Sequence, residues 1–397
     1  MAVPIKPAER IASLDQFRGY TVLGMLLVNF IGDFHAIPAI FKHHNTYCSY
    51  ADTIMPQFFF AVGYAYRLTL VRRLASGGVA GAYGRPIRRC LGLILLGVVV
   101  YHLDGGARHW VELQSMGLMG FMRSAFQRNV FQTLVHIGLT TLWVMPVMAA
   151  GPWVRVVFAS ASGILHVILS FEFYYDCVMH RPGIDGGPLG FLTWTIPLLV
   201  GSLACDAMRG ERTPPEKIPE FAGMQTAQEV RGNKVWLELL GWGAGLMVLG
   251  YALSCLSLAM PPANLDIGSE SRAAPTESSW WVEPPFVPPT RSINYWTMSQ
   301  RAGSVSYLTF GAGLSLAIFA LFVWICDCGS ARVGVFSTFG SNALAVYLIH
   351  DLVIEAMRPY TPRDSPIWFA ISTFALFLGV CYVFVRYLEK NSIFLRL

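Results

Sequence analysis

Charge is what this chain has least of. Asp, Glu, Lys and Arg make up 13 % of its 397 residues, about half the roughly 25 % that a soluble domain uses to cover a water-facing surface. That shortage excludes an ordinary cytosolic enzyme, a disordered tail and a collagen-like fibre. The net charge is only +5, and it lies beside apolar runs instead of in one patch, which excludes a nucleic-acid partner. Cysteine is also sparse. Eight residues are too few and too scattered for a disulfide scaffold, and most sit in apolar runs where the thiol acts as a small hydrophobe. Cys48 and Cys177 alone fall in segments read as external, where an oxidising compartment would permit a bridge. Cys326 and Cys328 form a bare C-x-C. Adjacent histidines seldom share one ion, so no metal is expected. Repeats, coiled-coil heptads and a separate soluble domain are absent too.

Long apolar runs are abundant. Hydrophobic residues make up 54 % of the chain and the mean hydropathy is +0.49. A helix needs about 20 mostly apolar residues to cross the hydrocarbon core. On that measure we expect an all-α polytopic membrane protein, a bundle of about 10 transmembrane helices. The spans are read near 19–34, 53–71, 86–102, 130–150, 152–171, 188–206, 235–260, 304–326, 334–357 and 366–387. The third is the shortest and spans only if Arg88 and Arg89 snorkel. Most of the 29 Lys and Arg residues fall on one side when both termini are cytoplasmic, and the densest cluster lies between spans two and three. This predicts an N-in/C-in topology. The whole chain, 1–397, reads as a single transmembrane domain. A charged cytoplasmic loop is expected near 207–234 and a Pro/Trp-rich external loop near 261–303.

Polar residues at membrane depth are costly and usually functional. The first helix begins SLDQFRG, where Asp15 and Arg18 are spaced to pair on one face. Asn29 lies eleven residues after Arg18, about 20° past three full turns, so both share a face about 16 Å apart along the axis. An interfacial anchor and an interhelical amide explain the same stripe equally well. The following loop gathers His35, His43 and His44, and Asp52 opens the second span. A general base needs one histidine with an orienting partner; a histidine with no role is the competing account. Later spans add Gln132 and His136, then Asn342, His350, Asp351 and Glu355. Asn342 and His350 fall within about 80° on one helical face.

These residues also carry a resemblance. SLDQFRG, then LLVN, a histidine-bearing stretch and ADTIMPQFFFAVG resemble the start of the transmembrane acyltransferase domain of the heparan-α-glucosaminide N-acetyltransferase family and its bacterial relatives. The matching positions are Leu14, Asp15, Phe17, Arg18 and Gly19, then Val28 and Asn29, then Ala51, Asp52, Pro56, Phe58, Phe60 and Gly63. GSNALAVYLIH is similar to the family's late helix, with Asn342 and His350 on its asparagine and histidine. The chain departs from the family where Asn45–Thr46–Tyr47 replaces its tryptophan–asparagine–glycine and where Leu134–Val135–His136 replaces its LQR triplet.

The resemblance implies transfer of an acyl group, acetyl in the family, from cytosolic acyl-CoA to an amine or hydroxyl of an extracytoplasmic sugar or glycan. Acetyl-CoA is then a cosubstrate, and the protein lies in a bacterial-type inner membrane, with a homodimer allowed. His43 or His44 would be the active histidine, with Asn29 beside the thioester carbonyl and Asp52 and His350 completing the catalytic set. Asp15, Arg18, Arg67, Arg85, Arg88 and Arg89 would face CoA, near a glycine-rich loop Gly77–Gly84 whose N–H groups suit phosphate. Gln132, His136 and Asn342 would line the acceptor side. Trp280, Trp281 and Trp296 would stack on a sugar or mark the interfacial aromatic belt. Direct attack needs only a base and an oxyanion donor; an acyl-histidine is the alternative. A transporter or flippase using the same polar shaft is the rival function, although the repeats common in transporters are not visible.

Overall fold

The computed structural model describes residues 11–44, 46–101, 109–128, 130–180, 185–210, 224–259, 281–290 and 293–395. These residues are mostly helical, with no strand among them. In chain order the helices are α1 (Ala12–Ile31), α2 (Ile54–Tyr101), α3 (Trp110–Arg128), α4 (Thr133–Val144), α5 (Pro152–Leu169), α6 (Tyr175–His180), α7 (Phe191–Arg209), α8 (Met224–Cys255), α9 (Val305–Phe322), α10 (Gly334–Ser341), α11 (Ala343–Met357) and α12 (Ile367–Lys390). Two π-helical stretches, Ser170–Tyr174 and Val323–Cys328, follow α5 and α9.

Among the described residues, five stretches are long and apolar enough to cross a membrane: Pro152–Met179, Phe191–Arg209, Val235–Ala259, Val305–Cys328 and Ile367–Lys390. In three of them little of the apolar surface is buried within the protein. Trp153, Val157 and Ile168 of α5, Trp242 and Val248 of α8, and Trp368, Ile371 and Val383 of α12 are exposed. Exposed apolar faces of that size call for lipid or a partner.

The remaining expected spans take other forms. Those near 53–71 and 86–102 lie in one helix, α2, which breaks at Gly78 (φ 70°, ψ 173°). The segment Gly77–Gly84 is therefore helical turns around a break and not an open phosphate-binding loop. Only glycine adopts that backbone without strain. The span near 130–150 shortens to α4, which gives way to turns at Met145 and Pro146. The span near 334–357 is split at Asn342 (φ −134°, ψ 40°) into α10 and α11. Helix α3 occupies a stretch read as external loop, and α8 begins within the stretch read as a cytoplasmic loop.

The chain divides into two compact units: Met1–Ile37, Ile218–Leu240 and Ala317–Arg396 form the first, and Pro38–Lys217 with Gly241–Leu316 the second. In the first unit, α1 packs on α10, α11 and α12. The approach of α1 to α10 is reciprocal. A Cβ on Gly19 would strike the backbone of Phe336, and one on Gly340 would strike the backbone of Asp15. Phe17 fills the core beside Phe319. In the second unit, α2, α4, α5 and α7 pack together. Gly63 of α2 faces the backbone of Leu198, and Gly201 of α7 faces that of Phe60. Small residues let membrane helices meet backbone to backbone. Two glycines of the family-like motifs, Gly19 and Gly63, therefore have packing roles. Phe59 stacks on Trp194 at 4.6 Å between ring centroids, and Tyr307 closes the cluster edge-on.

Candidate functional site

The second unit joins the histidine loop to the start of α2. Asp52 is completely buried. Its Oδ2 accepts from the Ser49 backbone N–H and hydroxyl, each at 2.9 Å, and its Oδ1 lies 2.9 Å from His43 Nδ1. The Tyr307 hydroxyl donates to the Asp52 carbonyl at 2.5 Å, so α9 holds the turn in place. The His43 side chain is half exposed. An imidazole whose Nδ1–H is bound by a buried carboxylate presents Nε2 as its basic nitrogen, the arrangement a general base needs.

His44 is placed differently. Its Nε2 lies 2.8 Å from the Ala39 carbonyl, and its ring stacks on Tyr47 at 4.2 Å. The two adjacent histidines, equivalent by sequence, thus have unlike partners.

Two further residues stand behind His43. Asp185 sits in a turn at φ 65°, a conformation that costs a non-glycine residue. Trp194 donates its indole N–H to the Asp185 carbonyl at 2.8 Å. The Asp185 carboxylate is buried and accepts from Gln300 Nε2 at 2.6 Å. Burial pushes the Asp185 carboxyl up to about 6, against the opposing pull of the Gln300 bond and the His43 charge, while the Asp52 charge adds to the rise. For His43, desolvation favours the neutral ring. The bond and charge of Asp52, the charge of Asp185 and the Gln300 side chain outweigh it and hold the pKa above the ordinary 6.5.

Around this cluster the proline-rich segment 281–290 lies over the histidine loop, with Phe286 N–H donating to the Cys48 carbonyl at 2.9 Å. A cavity of about 50 Å³ between them is lined by Tyr47, Cys48, Ser254, Glu283, Pro284 and Met298. It has the volume of one or two water molecules. Trp281 is exposed, whereas Trp296 is half-buried among Phe171 and Tyr295. Trp280 lies outside the described residues. Gln132 is half-buried at the start of α4 and its carbonyl accepts from the His136 N–H. His136 is fully buried, and neither ring nitrogen has a hydrogen-bond partner among the described residues. Cys48 and Cys177 are both free thiols, and burial near Asp52 pushes the Cys48 thiol well up.

Of the five arginines assigned to CoA, Arg67 is committed elsewhere. It is buried, with Nε donating to Asp206 at 2.8 Å and Nη1 to the Met148 carbonyl at 2.7 Å. Arg155, fully buried, pairs with the same carboxylate and with Ser202 Oγ. Arg85, Arg88 and Arg89 are exposed on α2 beyond the Gly78 break.

The first unit holds a separate imidazole. Asn29 Nδ2 donates to His350 Nε2 at 3.1 Å, and His350 Nδ1 lies 2.6 Å from the Tyr347 carbonyl. Asp351 is 3.1 Å from the same Nε2. The stripe on α1 therefore ends on a histidine of α11. Asp15 and Arg18 form a partly exposed pair at 3.8 Å. Asn342 does not share a continuous helical face with His350, because it is the break between α10 and α11. Its amide grips the chain end, donating to the Ile393 carbonyl at 2.8 Å and accepting from the Leu395 N–H at 3.1 Å.

Sequence reasoning passed over Asp185, Gln300, Tyr307, Arg155 and Asp206. Arg155 and Asp206 carried a usable signal, since ionisable residues of opposite sign inside apolar spans are expected to pair. Asp185, before the Gly186–Gly187 pair, reads as an ordinary turn residue. Among the described residues, no three His, Cys, Asp or Glu side chains gather to hold a metal ion. No protein-family model and no curated protein matches the chain.

Proposed function

We propose that this protein is a membrane-embedded acyltransferase that moves an acyl group, acetyl by the family resemblance, from cytosolic acyl-CoA to an amine or hydroxyl of an extracytoplasmic sugar or glycan. The observation that carries the reading is the half-exposed His43 ring anchored by the fully buried Asp52. A histidine with no role needs no such partner. The reading includes a bundle of about ten spans with both termini cytoplasmic, in a bacterial-type inner membrane. That topology puts the His43 end outside and the Arg67–Asp206–Arg155 end inside.

Between the two histidines, the geometry favours His43 as the base. Its Nε2 takes the proton from the acceptor N–H or O–H as the nucleophile attacks the thioester carbonyl. The C–S bond then breaks, the acyl group stays on the acceptor and CoA leaves as the thiolate. Asp52 fixes the tautomer and stabilises the imidazolium. With Arg67 engaged by Asp206, the exposed Arg85, Arg88 and Arg89 are the better candidates for CoA phosphates.

Purified protein incubated with radiolabelled acetyl-CoA and a panel of amino sugars tests the reading. Transfer is expected from the wild type. His43→Ala should lose about 10²–10⁴-fold, the range of general-base catalysis, while His44→Ala stays near wild type. Full activity in His43→Ala would remove the base assignment. A wild type that transfers nothing, yet carries a polar solute into liposomes, would replace the enzyme with the transporter.

A further inference from the structure

The surroundings of His43 contain one arrangement that the proposed reaction has not used. Gln300 has two chemically distinct ends. Nε2 donates to the Asp185 carboxylate at 2.6 Å and lies 3.9 Å from Met55 Sδ in the first turn of α2, the turn that follows Asp52. A carboxylate oxygen only accepts, so this bond fixes which end of the amide is nitrogen. The other end, Oε1, is buried and receives no hydrogen bond from the described residues. Buried acceptors without a donor are uncommon and call for an explanation. The same side chain favours the charged form of the His43 ring.

The fold holds Asp185 firmly for this purpose. Its backbone is in the left-handed region at φ 65°. Its carbonyl is bound by Trp194, and Gly186 N–H donates to the Arg301 carbonyl at 3.1 Å, tying the turn to the residue that follows Gln300. Strain of this kind persists where surrounding structure over-determines it and clusters at functional sites.

We infer that Asp185 and Gln300 are positioning residues for His43: Asp185 holds the Gln300 amide with its oxygen free for the ring, and that oxygen receives the N–H that the ring gains when it takes a proton. The arrangement is then linear, from Asp52 through His43 and Gln300 to Asp185. Asp52 binds the ring at Nδ1 in both protonation states. Gln300 Oε1 becomes satisfied only when Nε2 is protonated. The groups facing the ring are thus Asp52, Asp185 and Gln300, with Tyr307 engaged on the Asp52 backbone and His44 turned to Ala39. This inference rests on His43 being the base.

The test reads the ring itself, so that it stands apart from the transferase assay. Full-length protein in detergent is treated with diethyl pyrocarbonate across a pH series. The reagent modifies neutral imidazole, and mass spectrometry of the His43 peptide gives its titration midpoint. His35, exposed in the same loop, is the internal control. Asp185→Asn should lower the His43 midpoint by roughly one unit, the small end of what a nearby opposite charge does, and Asp185→Glu should restore it. Gln300→Leu, which keeps the carboxylate and removes the oxygen, should lower the midpoint as well. His35 should not move.

An unchanged His43 midpoint in Asp185→Asn overturns the inference. A shift in Asp185→Asn without one in Gln300→Leu overturns the role of the amide, leaving a through-space charge. If Asp185→Asn does not fold, Gln300→Leu decides by the same criterion, with Gln300→Asn, which withdraws the oxygen by one methylene, as its conservative check. Shifts as expected in a protein that transfers no acyl group would refute the activity and keep the positioning.

Discussion

Asp206→Asn is the sharpest test of how the second unit is held together. Asp206 is 4 % exposed and stands between Arg67 at 8 % and Arg155 at 0 %. Two guanidinium groups thus share one carboxylate out of contact with water. Removing one partner of a buried ion pair costs about 3–5 kcal/mol, because the remaining charge is stranded. Here two cations are stranded at once. Arg155 would keep Ser202 Oγ and Arg67 the Met148 carbonyl, with only one neutral amide oxygen of the substituted side chain left between them. At about 2 °C per kcal/mol for larger domains, the melting temperature of the detergent-solubilised protein should fall by roughly 6 °C or more. Glu355→Gln serves as the comparison, since that carboxylate is 57 % exposed in its pair with Arg358 and surface pairs contribute about 0–1 kcal/mol. Replacing all three charged residues together with Leu or Met should recover much of the loss, because a whole buried ion cluster can be exchanged for apolar packing. If Asp206→Asn melts within a degree or so of Glu355→Gln, the cluster is not the buried staple described above.

Further expectations follow from the same structure. A base must be neutral to accept a proton, so transfer should rise with pH through a midpoint above 6.5, since the carboxylates around His43 raise its pKa; a midpoint below 6.5 would contradict the geometry. Asp185 has a folded pKa of about 6 against 3.8 unfolded, so its contribution to stability is complete below 3.8 and lost as pH rises through 6. The loss is at most about 3 kcal/mol. Melting temperature should therefore fall over that window more steeply in wild type than in Asp185→Asn, and parallel curves would refute this. Gly63→Ala should destabilise by about 1–3 kcal/mol, an ordinary overpacking cost, because the obstructing atoms are the Leu198 backbone and not a movable side chain. An unchanged melting temperature would show that α2 and α7 are less close than described.

What the linear order of residues determined is class and inventory. A charge content of 13 % and recurrent apolar runs point to helices long and apolar enough to cross a membrane, where backbone polar groups must be paired within the segment. Spacing also put Arg18 and Asn29 on one face of α1, a consequence of the helical period alone. The partners of those residues depended on packing. Nothing in the order of the chain distinguishes His43 from His44. The difference arises because a loop fold brings one ring, and not the other, to a carboxylate nine residues later. Asn342 and His350 have the right spacing for one helix face, yet a local break turns Asn342 to the chain end. Arg67 reads in sequence as one of a cluster of basic residues, but Asp206, distant in the chain, claims it. Asp185 and Gln300 are 115 positions apart, and only tertiary structure puts them side by side. Helical periodicity and hydrophobicity act over a few turns and can be read from neighbours in the chain. Hydrogen bonds and buried charge pairs form between whichever segments the fold brings within about 3 Å.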